Sequence, residues 1–161
     1  MSRKPRILFL CTGNACRSQM AEAMLRHFGR DRFDVASAGS HPAGFVHALA
    51  VKTLARMDIP LPADARSKSW TEFTDDPPDI VLTVGDEAAH EVCPIWTDGP
   101  IMVPWSLPDP VYFPGTEAER LAFAWDVGQR LAERIRKLVA LDWQDTFVDK
   151  LREQLEAIGQ S

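Results

Sequence analysis

Arg6–Leu10 (RILFL) is a short apolar run of the kind found in strands buried on both faces of a sheet. Beyond it the period changes. Met20, Met24, Leu25 and Phe28 recur at spacings of three and four, which predicts a helix with one apolar face, and Gly29 supplies a stop. Phe33–Ala38 (FDVASA) predicts a second strand closed by Gly39, and Val46–Met57 a second helix. Pro60 and Pro62 interrupt the chain ahead of a short extended piece at Ala65–Ser69. Asp79–Val84 (DIVLTV) reads as another buried strand and Ile101–Val103 as a weaker one.

The segment Trp105–Gly115 holds three prolines and a glycine, so it reads as an ordered loop. Thr116–Leu141 predicts a long helix with Leu121, Trp125, Gly128, Leu131, Ile135 and Leu138 on one face, opened by a Thr116/Glu119 capping box. Asp142 is the candidate cap of a last helix carrying Trp143, Phe147, Leu151, Leu155 and Ile158 on one side, expected to pack on its own domain. Strands alternating with helices predict an α/β fold, a single-domain three-layer α/β/α sandwich around a central parallel four-stranded sheet. Residues 1–141 form the domain in this reading, and residues 142–161 are a C-terminal helical extension.

Length and charge narrow the chemistry. A chain of 161 residues suits one domain, and a net charge of −5 is wrong for coating nucleic acid or an anionic membrane. Any anion site is therefore local, made by a few aimed donors. No apolar run approaches the roughly 18 residues of a membrane helix, and the run after the basic start is too short for a signal core. Three cysteines do not make a disulfide framework, so a cytoplasmic protein with free thiols is expected. The histidines His41, His47 and His90 have no ligand cluster around them in the sequence, so no metal is expected.

The candidate chemistry lies where the first strand hands over to the first helix. Cys11 sits at the carboxyl end of that strand, where open α/β sheets bind ligands. The loop from Thr12 through Gly13, Asn14, Ala15 and Cys16 to Arg17 contains two residues that tolerate positive φ, Gly13 and Asn14. Such a loop can curl its backbone N–H groups around an anion, and the helix starting near Arg17 aims its positive end at the same place. Arg17 can hold two oxygens of a tetrahedral oxyanion. The same groups stabilise a thiolate at Cys11, and Ser18 can donate a hydrogen bond to that sulfur. A thiolate facing a bound oxyanion can attack its central atom.

Cys11-Thr12-Gly13-Asn14-Ala15-Cys16-Arg17-Ser18 resembles the phosphate-binding loop of the low-molecular-weight protein tyrosine phosphatase family. The continuation Gln19-Met20-Ala21-Glu22-Ala23 is more similar to that family's arsenate reductase branch, because the phosphatases usually carry proline at the position of Gln19. Ser37-Ala38-Gly39 also matches, and the resemblance spans about residues 5–140. It implies a cytoplasmic enzyme acting on arsenate, phosphate or sulfate oxyanions, with reduction of arsenate to arsenite as the leading activity. Phosphotyrosine hydrolysis by Cys11 and Asp109 is the alternative.

The resemblance extends to the supporting residues. Asp109-Pro110 resembles the family's acid loop, which makes Asp109 the proton donor, with Val111-Tyr112-Phe113 as a possible aryl-binding wall and Trp105 at its edge. Thioredoxin-linked relatives carry two further cysteines after the strand that ends near Thr83; here Gly85 stands at the first position and Cys93-Pro94 matches the second. Resolution by Cys93 or by an external thiol both remain open, with no bound cofactor. The reductant is thioredoxin, or glutathione or mycothiol with a glutaredoxin-like partner. Cys16 looks like a redox safeguard. Some relatives bind potassium through groups resembling Asn14, Glu22 and Ser37 plus an aspartate. Lys68 stands in place of that aspartate, so its ammonium is expected to replace the cation and neutralise Glu22.

Overall fold

The computed structural model describes residues 4–85, 96, 99–144 and 146–161. Four strands, β1 (Arg6–Cys11), β2 (Asp34–Gly39), β3 (Ile80–Thr83) and β4 (Ile101–Pro104), form one sheet in the order β2-β1-β3-β4. Every pairing is parallel. The four-stranded parallel sheet is the one expected from the alternation of strands and helices.

The order places a switch point at β1. The chain leaves β1 to one side for β2 and later returns to the other side for β3 and β4. At such a point the connections diverge and open a crevice beyond the strand ends, and Cys11 is the last residue of β1.

The apolar runs read as they do because both faces are covered. Ile7 and Phe9 of β1 join a large core with Ile80, Leu82, Ile101 and Val103. Against it pack α1 (Arg17–Gly29), α2 (Ala48–Arg56), α3 (Glu117–Val139) and α4 (Val148–Gly159). Leu8 and Leu10 face the other way, onto Ala38, Val81 and Trp96, with Trp70 and Phe73 at the margin. Among the described residues no helix is long and apolar enough to cross a membrane.

Helix ends follow local capping. The second helix starts at Ala48 rather than Val46 because His47 Nδ1 accepts the Leu49 N–H at 3.0 Å. The capping box of α3 forms in both directions, with Glu119 N donating to Thr116 Oγ1 at 3.2 Å and Thr116 N to Glu119 Oε1 at 3.1 Å.

The end of the chain departs from the sequence reading. Asp142 does not cap the last helix; its carboxylate takes the Gln144 N–H at 3.1 Å within a turn, and α4 begins six residues later. Trp143 is therefore off that helix. It packs edge-on against Phe33 with ring centroids 5.1 Å apart and donates its indole N–H to Leu138 O at 2.9 Å. Phe147, expected on the apolar side, is exposed, while Leu155 and Ile158 enter the main core.

Candidate active site

The loop from Thr12 to Cys16 is held from outside by its carbonyls. Thr12 O accepts His41 N at 2.9 Å, Gly13 O accepts Ala43 N at 2.8 Å, and Ala15 O accepts His47 N at 2.8 Å. Ser67 Oγ adds a bond to Gly13 O at 3.1 Å. With these carbonyls turned outward onto the scaffold, peptide N–H groups are left to face the loop interior. The left-handed residue is Asn14, at φ 47°. Gly13, which the sequence singled out equally, does not use the positive-φ region.

Asn14 is fully buried and organises the loop. Its Oδ1 accepts the Lys68 backbone N–H at 2.9 Å and a Gln19 Nε2 hydrogen at 3.2 Å. Its Nδ2 is thereby turned to donate to Ser18 Oγ at 2.8 Å. Ser18 Oγ lies 2.8 Å from Cys11 Sγ. The Asn14 bond occupies one Ser18 lone pair and leaves the hydroxyl hydrogen free to donate to the sulfur when Cys11 is a thiolate, which can only accept. Gln19 Nε2 also donates to Asn14 O at 3.0 Å and to Arg66 O at 2.9 Å, so it ties the loop to the segment after α2.

Arg17, the first residue of α1, is 4% exposed. Its guanidinium donates to Leu107 O at 2.9 Å and to Asp109 Oδ2 at 3.1 Å. The other carboxylate oxygen of Asp109 accepts the Val111 N–H at 2.9 Å, which caps the turn Pro110–Tyr112. Asp109 and the loop arginine are thus in direct contact. The guanidinium lies over Gly85, where an added Cβ would stand 3.0–3.1 Å from it.

Cys11 opens at the floor of a cavity of about 540 Å³, lined also by Arg17, His41, Phe45, His47 and Tyr112. Phe45 and the two histidines were not assigned to the site from sequence. They come from the segment that pins the loop carbonyls, and only that contact signals them. Tyr112 is at the mouth, 84% exposed. Phe113 is not part of the wall, since it stacks on Phe123 at 4.1 Å. Trp105 does not edge the cavity either; it is fully buried against Phe9.

Cys16 and His47, which both line the cavity, are displaced from their ordinary ranges. Burial pushes the Cys16 thiol up to about 12, and the negative charges of Asp109 and a Cys11 thiolate act in the same direction. Burial also lowers His47, helped by nearby Arg120 and opposed by Asp109. Cys93 lies outside the described residues.

Glu22, 3% exposed, sits behind the loop. Its Oε1 accepts Ser37 Oγ at 2.6 Å and its Oε2 pairs with Arg26 at 2.8 Å. Lys68 Nζ stands 3.9 Å from Glu22 Oε1 and donates to Arg66 O at 3.2 Å. Burial lowers the Lys68 ammonium against the pull of Glu22. Arg26 is a second cation on the same carboxylate, unforeseen from sequence although Glu22 and Arg26 are four apart on one helix.

Comparison with known proteins fits this geometry. The model of the low molecular weight phosphotyrosine protein phosphatases matches residues 6–154. The chain belongs to this family. Within it, an arsenate reductase of Halalkalibacterium halodurans is 35% identical over 133 residues, 83% of this chain and 91% of that protein. An arsenate reductase of Bacillus subtilis is 32% identical over 131 residues, 81% of this chain and 92% of that one. Among solved structures, a thioredoxin-dependent arsenate reductase of Corynebacterium glutamicum superposes with a TM-score of 0.65 at 30% identity, covering 85% of this chain and 61% of that chain. An Erwinia amylovora tyrosine phosphatase shares the fold at a TM-score of 0.68 and 19% identity, covering 87% of this chain and 96% of that chain.

Proposed function

We propose that this phosphatase-family chain reduces arsenate to arsenite, with Cys11 as nucleophile. The observation that carries the reading is the Cys11–Ser18–Asn14 hydrogen-bond chain beside Arg17, in a chain whose relatives above 30% identity include arsenate reductases. Gln19 supports it, because its amide fills a space between Asn14 and Arg66 that the phosphatases' usual proline leaves without a donor.

Arsenate displaces Asp109 from Arg17, and the Arg17 fork and the loop N–H groups hold three of its oxygens. The Cys11 thiolate attacks arsenic, a sulfur–arsenic bond forms, and one oxygen leaves as water with a proton from Asp109. A second thiol then attacks Cys11 Sγ. A disulfide forms, the electron pair of the sulfur–arsenic bond stays on arsenic, and As(V) becomes As(III). An external dithiol or pair of thiols reduces the disulfide, so the protein works in a reducing compartment, the cytoplasm.

The second thiol is Cys93 or an external thiol. No thiol stands at position 85 to relay to Cys93, because that residue is glycine, and a Cβ there would lie 3.0–3.1 Å from the Arg17 guanidinium. Thioredoxin serves the first route; glutathione or mycothiol with a glutaredoxin-like protein serves the second. Lys68 replaces a potassium ion beside Glu22, Ser37 and Asn14, and Cys16 is held in reserve as a protected thiol.

A second reading, phosphotyrosine hydrolysis, is favoured by the direct Arg17–Asp109 contact and by the missing thiol at Gly85. One experiment separates them. Arsenite production is measured with thioredoxin, with glutathione plus glutaredoxin, and with neither, for wild type, Cys11→Ser and Cys93→Ser, alongside aryl-phosphate hydrolysis. Arsenite lost in Cys11→Ser supports reduction, and its fate in Cys93→Ser assigns the second thiol. No arsenite under any system, with Cys11-dependent hydrolysis, refutes reduction and leaves a phosphatase.

A further inference from the structure

Three hydrogen bonds fasten the start of the acid loop at Trp105. Trp105 follows the last residue of β4 and starts the run to Asp109. Its backbone N–H continues the sheet by donating to Thr83 O at 2.7 Å, and Leu107 N–H does the same to Val84 O at 3.1 Å. Its indole N–H donates to Leu155 O of α4 at 2.9 Å. Its carbonyl accepts Arg134 Nη1 from α3 at 2.9 Å. Arg134 Nη2 in turn donates to Ser161 O, just past α4, at 3.1 Å.

These contacts are costly and close. Arg134 is 3% exposed, and burial lowers its guanidinium below the ordinary arginine range. Gly159 lets α4 sit directly on the strand end: a Cβ there would lie 2.7 Å from Pro104 O and 2.8 Å from Trp105 Cδ1. Leu107, two residues beyond Trp105, is the carbonyl that holds Arg17, and Asp109 is two residues further.

We infer that α4 is a positioning brace for the acid loop, clamping Trp105 so that the Leu107 carbonyl holds Arg17 and Asp109 stands beside the oxyanion loop, within reach of a bound oxyanion. The inference rests on the assignment of Asp109 as proton donor made above. The lever is short and stiff. The four residues from Trp105 to Asp109 span at most about 13 Å, so a tilt of about 5° at Trp105 moves Asp109 by up to about 1 Å. A displacement of that size at a reacting group costs up to about 100-fold in rate. Gly159 and Ser161 both lie beyond residue 154, where the family match ends.

The test uses two brace variants of the full chain. Trp105→Phe removes the indole N–H, and Gly159→Val pushes α4 off Pro104 and Trp105. Each is compared with wild type and Asp109→Asn on p-nitrophenyl phosphate, whose leaving group needs little protonation, and on phenyl phosphate, whose leaving group needs much. Melting temperatures and the inhibition constant of inorganic phosphate are measured in parallel.

Asp109→Asn is expected to slow phenyl phosphate at least about tenfold more than p-nitrophenyl phosphate. Both brace variants are expected to shift that ratio the same way, by about three- to tenfold, with phosphate inhibition within about twofold of wild type. Loss of folded protein would scale both esters equally. If Asp109→Asn is selective and the brace variants are not, the brace is refuted and Asp109 keeps its role. If Asp109→Asn itself is not selective, the acid assignment fails and the brace falls with it.

Discussion

Gly39→Ala asks whether the anion loop depends on backbone contact with the end of β2. Gly39 pairs with Cys11 in the β1–β2 register and donates its N–H to Lys68 O at 2.9 Å. An added Cβ would collide with Thr12 O and lie 2.9 Å from Cys11 O and 3.0 Å from Asn14 N. All three are main-chain atoms, so no side-chain rotation relieves the clash. The residue has no positive φ, so the cost is steric and not torsional. Overpacking of this kind costs about 1–3 kcal/mol. In a chain of this size that corresponds to a fall in Tm of about 2–12 °C. The strain is relieved by moving the loop, so phosphate protection of Cys11 against alkylation is expected to weaken with it. Gly13→Ala is the control, because a Cβ there meets only Ala43 Cβ, at 4.0 Å, and is expected to shift Tm by less than about 2 °C. A Gly39→Ala protein with wild-type Tm and phosphate protection would refute the close-contact account.

Cys16, held near 12, is expected to resist iodoacetamide at pH 8 while Cys11 is labelled, as read by peptide mass spectrometry; comparable labelling of both contradicts the burial argument. Its raised value also contributes stability that is full below the ordinary thiol range and is lost as pH rises towards 12, at up to about 1.4 kcal/mol per pH unit. Denaturant unfolding between pH 9 and pH 11 is therefore expected to be less steep for Cys16→Ala, and an unchanged slope counts against it. His47→Ala removes the N-cap of α2 and is expected to cost about 0.5–2 kcal/mol, recovered by His47→Asn. Because His47 is lowered, its stability contribution is present above the ordinary histidine range and lost as pH falls, a loss that His47→Asn is expected to abolish in acid titrations of Tm. Wild-type activity is expected to be equal in potassium and sodium at fixed ionic strength, whereas Lys68→Asp gains a potassium preference through Asn14, Glu22, Ser37 and the new carboxylate; potassium activation of the wild type refutes the replacement.

The fold was legible where periodicity was unopposed. RILFL and DIVLTV alternate between two covered faces, and a strand buried on both sides has no polar positions to confuse its signal. The α3 cap was legible because Thr116 and Glu119 need only local geometry to satisfy each other. Asp142 misled for the same local reason. An aspartate two residues before an N–H caps a turn as readily as a helix, and the choice was decided by Trp143 packing on Phe33. Phe147 then stayed outside because α4 is positioned by Leu155, Ile158 and the Gly159 contact, which lie far along the sequence from any strand they touch.

The site divides along the same line. Cys11, Arg17 and Ser18 lie within one eight-residue segment, so their spacing alone brings them together. Glu22 on α1 and Ser37 on β2 meet because α1, the crossover between β1 and β2, packs against β2, an arrangement the strand–helix–strand pattern implies. Phe45, His41 and His47 could not be read, because their relation to Cys11 runs through backbone bonds to loop carbonyls, and backbone bonds carry no residue signature. Lys68 shows the limit in both directions. Its position beside Glu22 followed from motif alignment, but the balance of charges did not: Arg26 already pairs with Glu22 at 2.8 Å, while Lys68 stands off at 3.9 Å. Its lowered ammonium shows that burial outweighs the attraction of Glu22. The segment also acts through its main chain, since the Lys68 N–H holds Asn14 Oδ1 at 2.9 Å and fixes the loop independently of the side-chain charge.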